Sequence, residues 1–268
     1  MPVDPQIQRL LDLRAKLPPL HSLSVADARA QMAARPIEGL RIPAVAAVAD
    51  RDMQGPGGSL PLRIYTPPGS GPFPLMVFFH GSGFVVCDLD THDAMCRNLC
   101  AGTGCVVVSV AGDSAGGNLA AVAALRARDE GGPPIAAQLL IYPVTDYHDP
   151  GTQSMAENAE GYGLTRKGME WFWGHYLADP SHAAHPHACP LKANDLSRLP
   201  RAYTITAEYD PLRDEAELYA AALSRAGVPS EMRRWDGMNH GFFFFPGLVG
   251  KASEAMDDAC AWVRRAVG

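Results

Sequence analysis

The strongest constraint on this chain is a junction. The Val-rich stretch Cys105–Val110 runs through Ala111 into Gly112-Asp113-Ser114-Ala115-Gly116, and the Ala/Leu-rich stretch Ala115–Arg128 follows at once. A short continuous apolar run of this kind reads as a strand buried on both faces, and the stretch after it as a helix. The five residues at the junction match G-x-S-x-G. Alone, so short a string arises by chance. Between a strand and a helix it specifies a strained turn whose glycines let the serine hydroxyl stand clear of a sheet. The helix then aims the positive end of its dipole at the place where negative charge would develop. The competing reading is a glycine-rich turn with no chemistry, and the partners available to Ser114 decide between the two.

The rest of the chain alternates in the same way. Leu75–Phe79 is a second continuous apolar run, and Ile135–Tyr142, Ala202–Ala207 and Ser230–Trp235 read as further strands. Helical patterns occupy His92–Ala101, Arg166–Leu177, Leu212–Ala226 and Lys251–Ala266. This alternation predicts an α/β fold with a mostly parallel sheet covered by helices on both faces. Pro43–Val48 and Leu60–Tyr65 read as early strands. Two helices come before any strand, one opening at Asp4-Pro5 and one capped by Ser24 with Asp27 three residues on. They predict N-terminal cap helices over residues 1–40, ahead of a core at 41–268. Residues 150–199 break the rhythm with Trp171, Trp173 and only one clear helix, which predicts a cap insertion over the active site.

A serine hydroxyl needs a base. His240, in Gly237-Met238-Asn239-His240-Gly241-Phe242, follows the last strand in a turn-forming segment. A carboxylate must fix the imidazole tautomer and stabilise its cation. Asp210 sits just past the strand Ala202–Ala207, where parallel sheets present active-site groups. The rivals are Asp214, one turn into a helix and more suited to structure, and Asp236, too near His240 in sequence to face it. The order Ser, Asp, His completes the pattern. His80-Gly81-Ser82-Gly83-Phe84 follows the strand Leu75–Phe79, and its small residues let backbone N–H groups approach a substrate oxygen. Ser82, Gly83 and Ala115 are the expected oxyanion donors, each worth about 3 kcal/mol in the transition state. His80 reads as a loop-shaping residue and not as a second base.

At this point the chain resembles the bacterial hormone-sensitive-lipase-like carboxylesterases of the α/β-hydrolase superfamily. The matching pieces are His80-Gly81-Ser82-Gly83-Phe84, Gly112-Asp113-Ser114-Ala115-Gly116-Gly117-Asn118, Asp210-Pro211-Leu212-Arg213-Asp214-Glu215 and His240-Gly241-Phe242. The resemblance implies hydrolysis of short- to medium-chain carboxylic esters, no metal and no cofactor. It also implies a helical cap built from the N-terminal helices and residues 150–199. Two departures stand out. Ser82 replaces the usual glycine, which is tolerable if its φ stays negative. In addition, family members carry roughly one βα unit with its loop, some forty residues, between the strand Cys105–Val110 and the serine. Here Val110 runs straight into Ala111. Either a segment is missing from the chain as written, or the fold adapts, or the product is impaired. If Cys105–Val110 serves as the serine strand, a right-handed crossover moves the helix His92–Ala101 to the other face of the sheet.

Other features read more plainly. The six cysteines form no C-x-x-C pair and read as small buried hydrophobes in a reducing compartment. His182, His185 and His187 read as a solvated loop without a metal. Phe242–Phe245 packs the histidine loop or lines an acyl pocket, with neither preferred. One of Trp171 and Trp173 should pack inward. A net charge of −6 with no basic run gives nucleic-acid binding little support. No apolar run approaches the ~18 residues that span a bilayer. Met-Pro-Val-Asp-Pro lacks the features of a secretory signal, so a cytoplasmic location is expected. An exposed strand edge would allow a homodimer. Rival functions are an amidase or a hydratase/dehydratase on the same scaffold, or a ligand-binding homologue without turnover. Receptors of that last kind typically lose the histidine, and His240 is present.

Overall fold

In the computed structural model, residues 2–34 and 38–268 are described, the side chains of residues 108–110 excepted. Helix α1 (Pro5–Arg14) starts where Asp4 accepts the Gln6 N–H, and α2 (Val25–Ala33) where Ser24 accepts the Asp27 N–H. Strands β1 (Ala47–Gly55) and β2 (Gly58–Thr66) form an antiparallel hairpin. The expected strand Pro43–Val48 is thus displaced along the chain. The turn at Pro56-Gly57 sets Gly55 opposite Gly58, and pairing carries that register back to Ala47 opposite Thr66. The hairpin is largely exposed, so Asp50, Arg51 and Asp52 could enter a strand without an apolar pattern to announce it.

The core follows as β3 (Leu75–Phe79), α3 (Asp93–Thr103), β4 (Val106–Asp113), α4 (Ala115–Asp129) and β5 (Ala137–Ile141). Helices α5 (Gln153–Glu157) and α6 (Arg166–Tyr176) lie in the segment that breaks the rhythm. The chain closes with β6 (Arg201–Tyr209), α7 (Arg213–Arg225), β7 (Ser230–Asn239) and α8 (Gly250–Val267). Seven strands form one sheet among the described residues, parallel from β3 to β7.

Side-chain alternation along the strands feeds two cores. Leu139 and Ile141 face a cluster with Leu99 and Cys100 of α3, Met256 and Ala259 of α8, and Ile7 and Leu11 of α1. Leu140 faces the other side, with Ala120, Ala124 and Leu125 of α4 and Tyr219 and Leu223 of α7. A third cluster joins Ala28 of α2 to Val85, Val86, Met169, Phe172 and Trp173. The two N-terminal helices therefore part company, α1 packing on the main core and α2 on the third cluster.

Strand β4 carries the consequence of the short connection. At its start Val107 pairs with Tyr65 of β2 and Met76 of β3; at its end Gly112 pairs with Phe79 of β3 and Leu140 of β5. One continuous strand thus fills two positions, first between β2 and β3, then between β3 and β5. The changeover falls at Val77, opposite which both Ser109 and Val110 stand. The expected transfer of the preceding helix does not occur. Because β4 begins on the β2 side of β3, α3 stays on the α8 face, where the Cys260 thiol lies 3.8 Å from the Asn98 carbonyl.

The tightest packing lies at the start of α4. A Cβ on Gly116 would fall 1.9 Å from the Phe79 carbonyl oxygen, and one on Gly112 2.2 Å from the Gly116 carbonyl carbon. Backbone cannot yield as a flexible side chain can. Gly116→Ala is expected to cost more than about 4 kcal/mol, seen as loss of the cooperative melt or of soluble expression.

Candidate active site

Ser114 occupies φ 56°, ψ −119°, outside the regions a side chain normally allows. Such a conformation costs on the order of 1–3 kcal/mol and persists only where its surroundings impose it. Here the imposition is visible. The Ser114 N–H donates to the Ile141 carbonyl at 2.8 Å, and its carbonyl accepts the N–H groups of Val144 and Asn118, both at 3.1 Å. Gly112, Gly116 and Gly117 let β4, α4 and Pro143 approach closely enough to hold the turn.

The strand ends bring the partners. β7 runs to Asn239, and His240 follows, with Gly241 at φ 88° turning the chain away. β6 ends at Tyr209, and the fully buried Asp210 comes next. One carboxylate oxygen of Asp210 accepts the Leu212 N–H at 2.8 Å, at the start of α7. The other lies 2.7 Å from His240 Nδ1. His240 Nε2 lies 3.0 Å from Ser114 Oγ. With Nδ1–H given to Asp210, the Nε2 lone pair faces the serine hydroxyl, which is the tautomer a general base needs. The rival carboxylates are elsewhere: Asp214 accepts the Ser154 N–H at 2.7 Å and pairs with Arg213, and Asp236 is exposed.

The loop His80-Gly81-Ser82-Gly83 is fastened to the residue before the serine. Buried Asp113 accepts the Gly81 N–H at 2.8 Å. His92 Nε2, also buried, lies 3.4 Å from the same carboxylate oxygen. The His80 ring lies 5.2 Å from that of His92, and burial, then His92, lowers the His80 pKa. His80 Nδ1 lies 2.9 Å from the Gly81 carbonyl oxygen, and no bond joins it to Ser114. The N–H groups of Ser82 and Gly83 have no backbone or side-chain acceptor among the described residues. Ala115 opens α4 immediately after Ser114.

Ser82 corrects an expectation. Its φ is +94°, not negative, so a side chain stands where the backbone favours glycine. Of the six non-glycine residues at positive φ among those described, Ser82, Phe84 and Cys87 lie in this loop, and Ser114 and Tyr142 beside it. The aromatic run also resolves. Phe242 and Phe243 are fully buried in the main core, and Trp173 packs inward while Trp171 is partly exposed. His185 and His187 meet edge-on with ring centres 4.7 Å apart, and no metal-competent cluster occurs among the described residues.

Asn158 and Tyr142 carried no sequence signal, and Asn118 and Glu215 stood only at the ends of matching motifs, with no role assigned. Asn158 donates to the Asp210 carbonyl and Asn118 to those of Val144 and Ala188. Buried Glu215 accepts the N–H groups of Thr145 and Asp146, bracing the segment after β5. Tyr142 is buried with its ring against His240. A cavity of about 280 Å³ opens between Leu11–His21 and residues 161–172. Its wall residue Phe172 presses on Gly83, and its wall residue Gly163 lies beside Asn239.

The sequence profile of a family described by its α/β-hydrolase fold matches residues 76–111 and 108–244. The chain belongs to the α/β-hydrolase family. Within it the chain is 36% identical to the carboxylic ester hydrolase LipN of Mycobacterium tuberculosis, over 81% of this chain and 70% of that protein. It is 38% identical to the esterase LipI of the same organism, over 78% of each. A solved hyperthermophilic esterase from Pyrobaculum calidifontis superposes with a TM-score of 0.89 at 34% identity, covering 99% of both chains. An ester hydrolase from the Lake Arreo metagenome, complexed with a bipyridine phosphonate derivative, superposes at 0.92 with 32% identity over 98% of both. These relatives also bear on the short connection. The LipI alignment spans 252 positions but uses 78% of this 268-residue chain, about 209 residues, so some 43 positions have no counterpart here. The two profile matches overlap at residues 108–111, in β4, where one strand fills two positions.

Two consequences follow. Ser82→Gly relieves the positive-φ strain and should stabilise the fold by about 1 kcal/mol, read as a higher melting temperature. Burial raises the Glu215 pKa to about 8, against the pull of its two N–H donors. The folded state then keeps a proton that the unfolded chain releases near the ordinary glutamate value of 4.5, so stability falls as pH rises from there to about 8 and levels off above. Glu215→Gln keeps an acceptor for both N–H groups and should flatten that slope in melts from pH 5 to 9.

Proposed function

We propose that this protein is a serine carboxylesterase acting on short- to medium-chain esters. The observation that carries the reading is the unbroken line from Ser114 Oγ to His240 Nε2 at 3.0 Å and from His240 Nδ1 to Asp210 at 2.7 Å. Ser114 attacks the ester carbonyl carbon while His240 takes the hydroxyl proton. Asp210 holds the imidazole in the required tautomer and offsets the charge of the imidazolium. The tetrahedral oxyanion accepts hydrogen bonds from the backbone N–H groups of Ser82, Gly83 and Ala115. Collapse breaks the ester C–O bond, and His240 gives its proton to the departing alcohol. Water, losing a proton to the same imidazole, then attacks the acyl-serine and releases the acid. Every step runs on side chains and backbone of this chain. The esterase names of the relatives support the substrate class.

The cap belongs to the same proposal. Helices α1 and α2 with residues 150–199 cover the site, and the cavity beside Phe172 receives part of the ester. No helix among the described residues is long and apolar enough to cross a membrane. A cytoplasmic location and pairing of two copies through an exposed strand edge accompany this reading.

The decisive experiment is a fluorophosphonate label with mass mapping, beside turnover of p-nitrophenyl esters from acetate to decanoate. One adduct on Ser114 and a preference for the shorter esters are expected. Ser114→Ala should lose the label and about 10⁴-fold or more in kcat. Asp210→Asn should lose roughly 10⁴-fold while still folding. Full activity in Ser114→Ala would overturn the mechanism, and a wild-type chain that neither labels nor turns over would overturn the activity.

A further inference from the structure

We propose that Tyr142 is a positioning residue for His240, acting through its ring and not through its hydroxyl. The inference rests on the serine-esterase reading, since it concerns the same imidazole. Tyr142 follows β5 with φ at +35°, a conformation that a bulky aromatic residue leaves unless it is held. Backbone bonds on every side hold it. The Ile141 carbonyl before it accepts the Ser114 N–H, the Val144 N–H after it donates to the Ser114 carbonyl, and its own N–H donates to the Ile205 carbonyl at 2.6 Å. The serine turn and the neighbouring strand thereby point residue 142 at the histidine loop. Its ring centre lies 4.6 Å from that of His240, the planes tilted by 53°. Phe242 meets the same ring edge-on, the centres 6.1 Å apart.

Such a wall does two things. A single bond from Nδ1 to Asp210 leaves the imidazole free to tilt about that bond, and an aromatic ring in contact removes the tilt that would carry Nε2 away from Ser114. When Ser114 gives up its proton, the imidazolium that forms is attracted by the electron-rich ring. The hydroxyl contributes to neither. It is buried with no hydrogen-bond partner among the described residues, and burial, with Asp113 and Asp210 nearby, keeps it protonated. The titratable and charged groups around this contact are Asp210 after β6, Ser114 and Asp113 at the serine turn, and Tyr142 itself.

The test compares Tyr142→Phe, Tyr142→Leu and Tyr142→Met with wild type. Two readouts are used: kcat and KM on p-nitrophenyl acetate across pH, and NMR titration of the His240 imidazole, assigned by its loss in His240→Asn. Tyr142→Phe should stay within about twofold of wild type in both constants, with an unmoved titration. The Leu and Met variants should lose roughly tenfold in kcat at unchanged KM, with the imidazole titrating at lower pH. A Phe variant that falls as far as Leu would assign the work to the hydroxyl and overturn the proposal. Folded Leu or Met variants with wild-type kcat and titration would also overturn it. Should Leu fail to fold, the flexible Met side chain fills the space and decides the question. The titration reads the contact without turnover. An unreactive wild type would therefore sink the esterase reading while the effect of the ring on His240 is still measured.

Discussion

Everything at the centre of this molecule depends on how closely two backbones approach at the serine turn. Gly116 lies against the Phe79 carbonyl, and Gly112 against Gly116, at separations that exclude even a methyl group. That approach lets the start of α4 sit directly on the end of β3. It therefore places the serine turn against the loop that begins at His80. The strain in Ser114 is held by hydrogen bonds from the segment after β5, so the nucleophile candidate is fixed by three consecutive elements rather than by its own preferences.

The same contact explains why the shortened connection leaves the site geometry intact. The two family-profile matches meet where β4 changes neighbours, at Ser109 and Val110, just before Gly112. From Gly112 onward the strand has β3 on one side and β5 on the other, and the site hangs from that part of the sheet. Asp210 and His240 arrive from β6 and β7, which do not touch the altered region. Their alignment depends on parallel strands ending at one edge, and that edge is complete.

Polar groups around the site are used more than once. Asp210 both receives the N–H of Leu212 at the start of α7 and orients His240, and Asp113 ties the Gly81 N–H to the serine turn while lying beside His92. Glu215 braces the chain from Thr145 to Asp146, which in turn carries Tyr142 to the imidazole. In a dry interior each bond is strong only because its partner is already in place, so these links act as a set. The positive-φ residues gather around the same set, where the backbone is over-determined enough to hold them.

The sequence alone determined the alternating architecture, and it singled out Ser114, Asp210 and His240, which the structure brings into one hydrogen-bonded line. Apolar runs, glycine placement and chain order are local or one-dimensional properties, and they need no knowledge of contacts. It did not reveal the sign of φ at Ser82, because a residue's backbone angle is set by what it packs against. It misjudged the helix after β3, because handedness rules assume that a strand keeps one pair of neighbours and β4 does not. Asn158 and Tyr142 are ordinary residues in a linear reading, and Asn118 and Glu215 close motifs without a stated role. Only the tertiary structure gave them roles, because their hydrogen bonds and ring contacts join segments that lie from 26 to 98 residues apart along the chain.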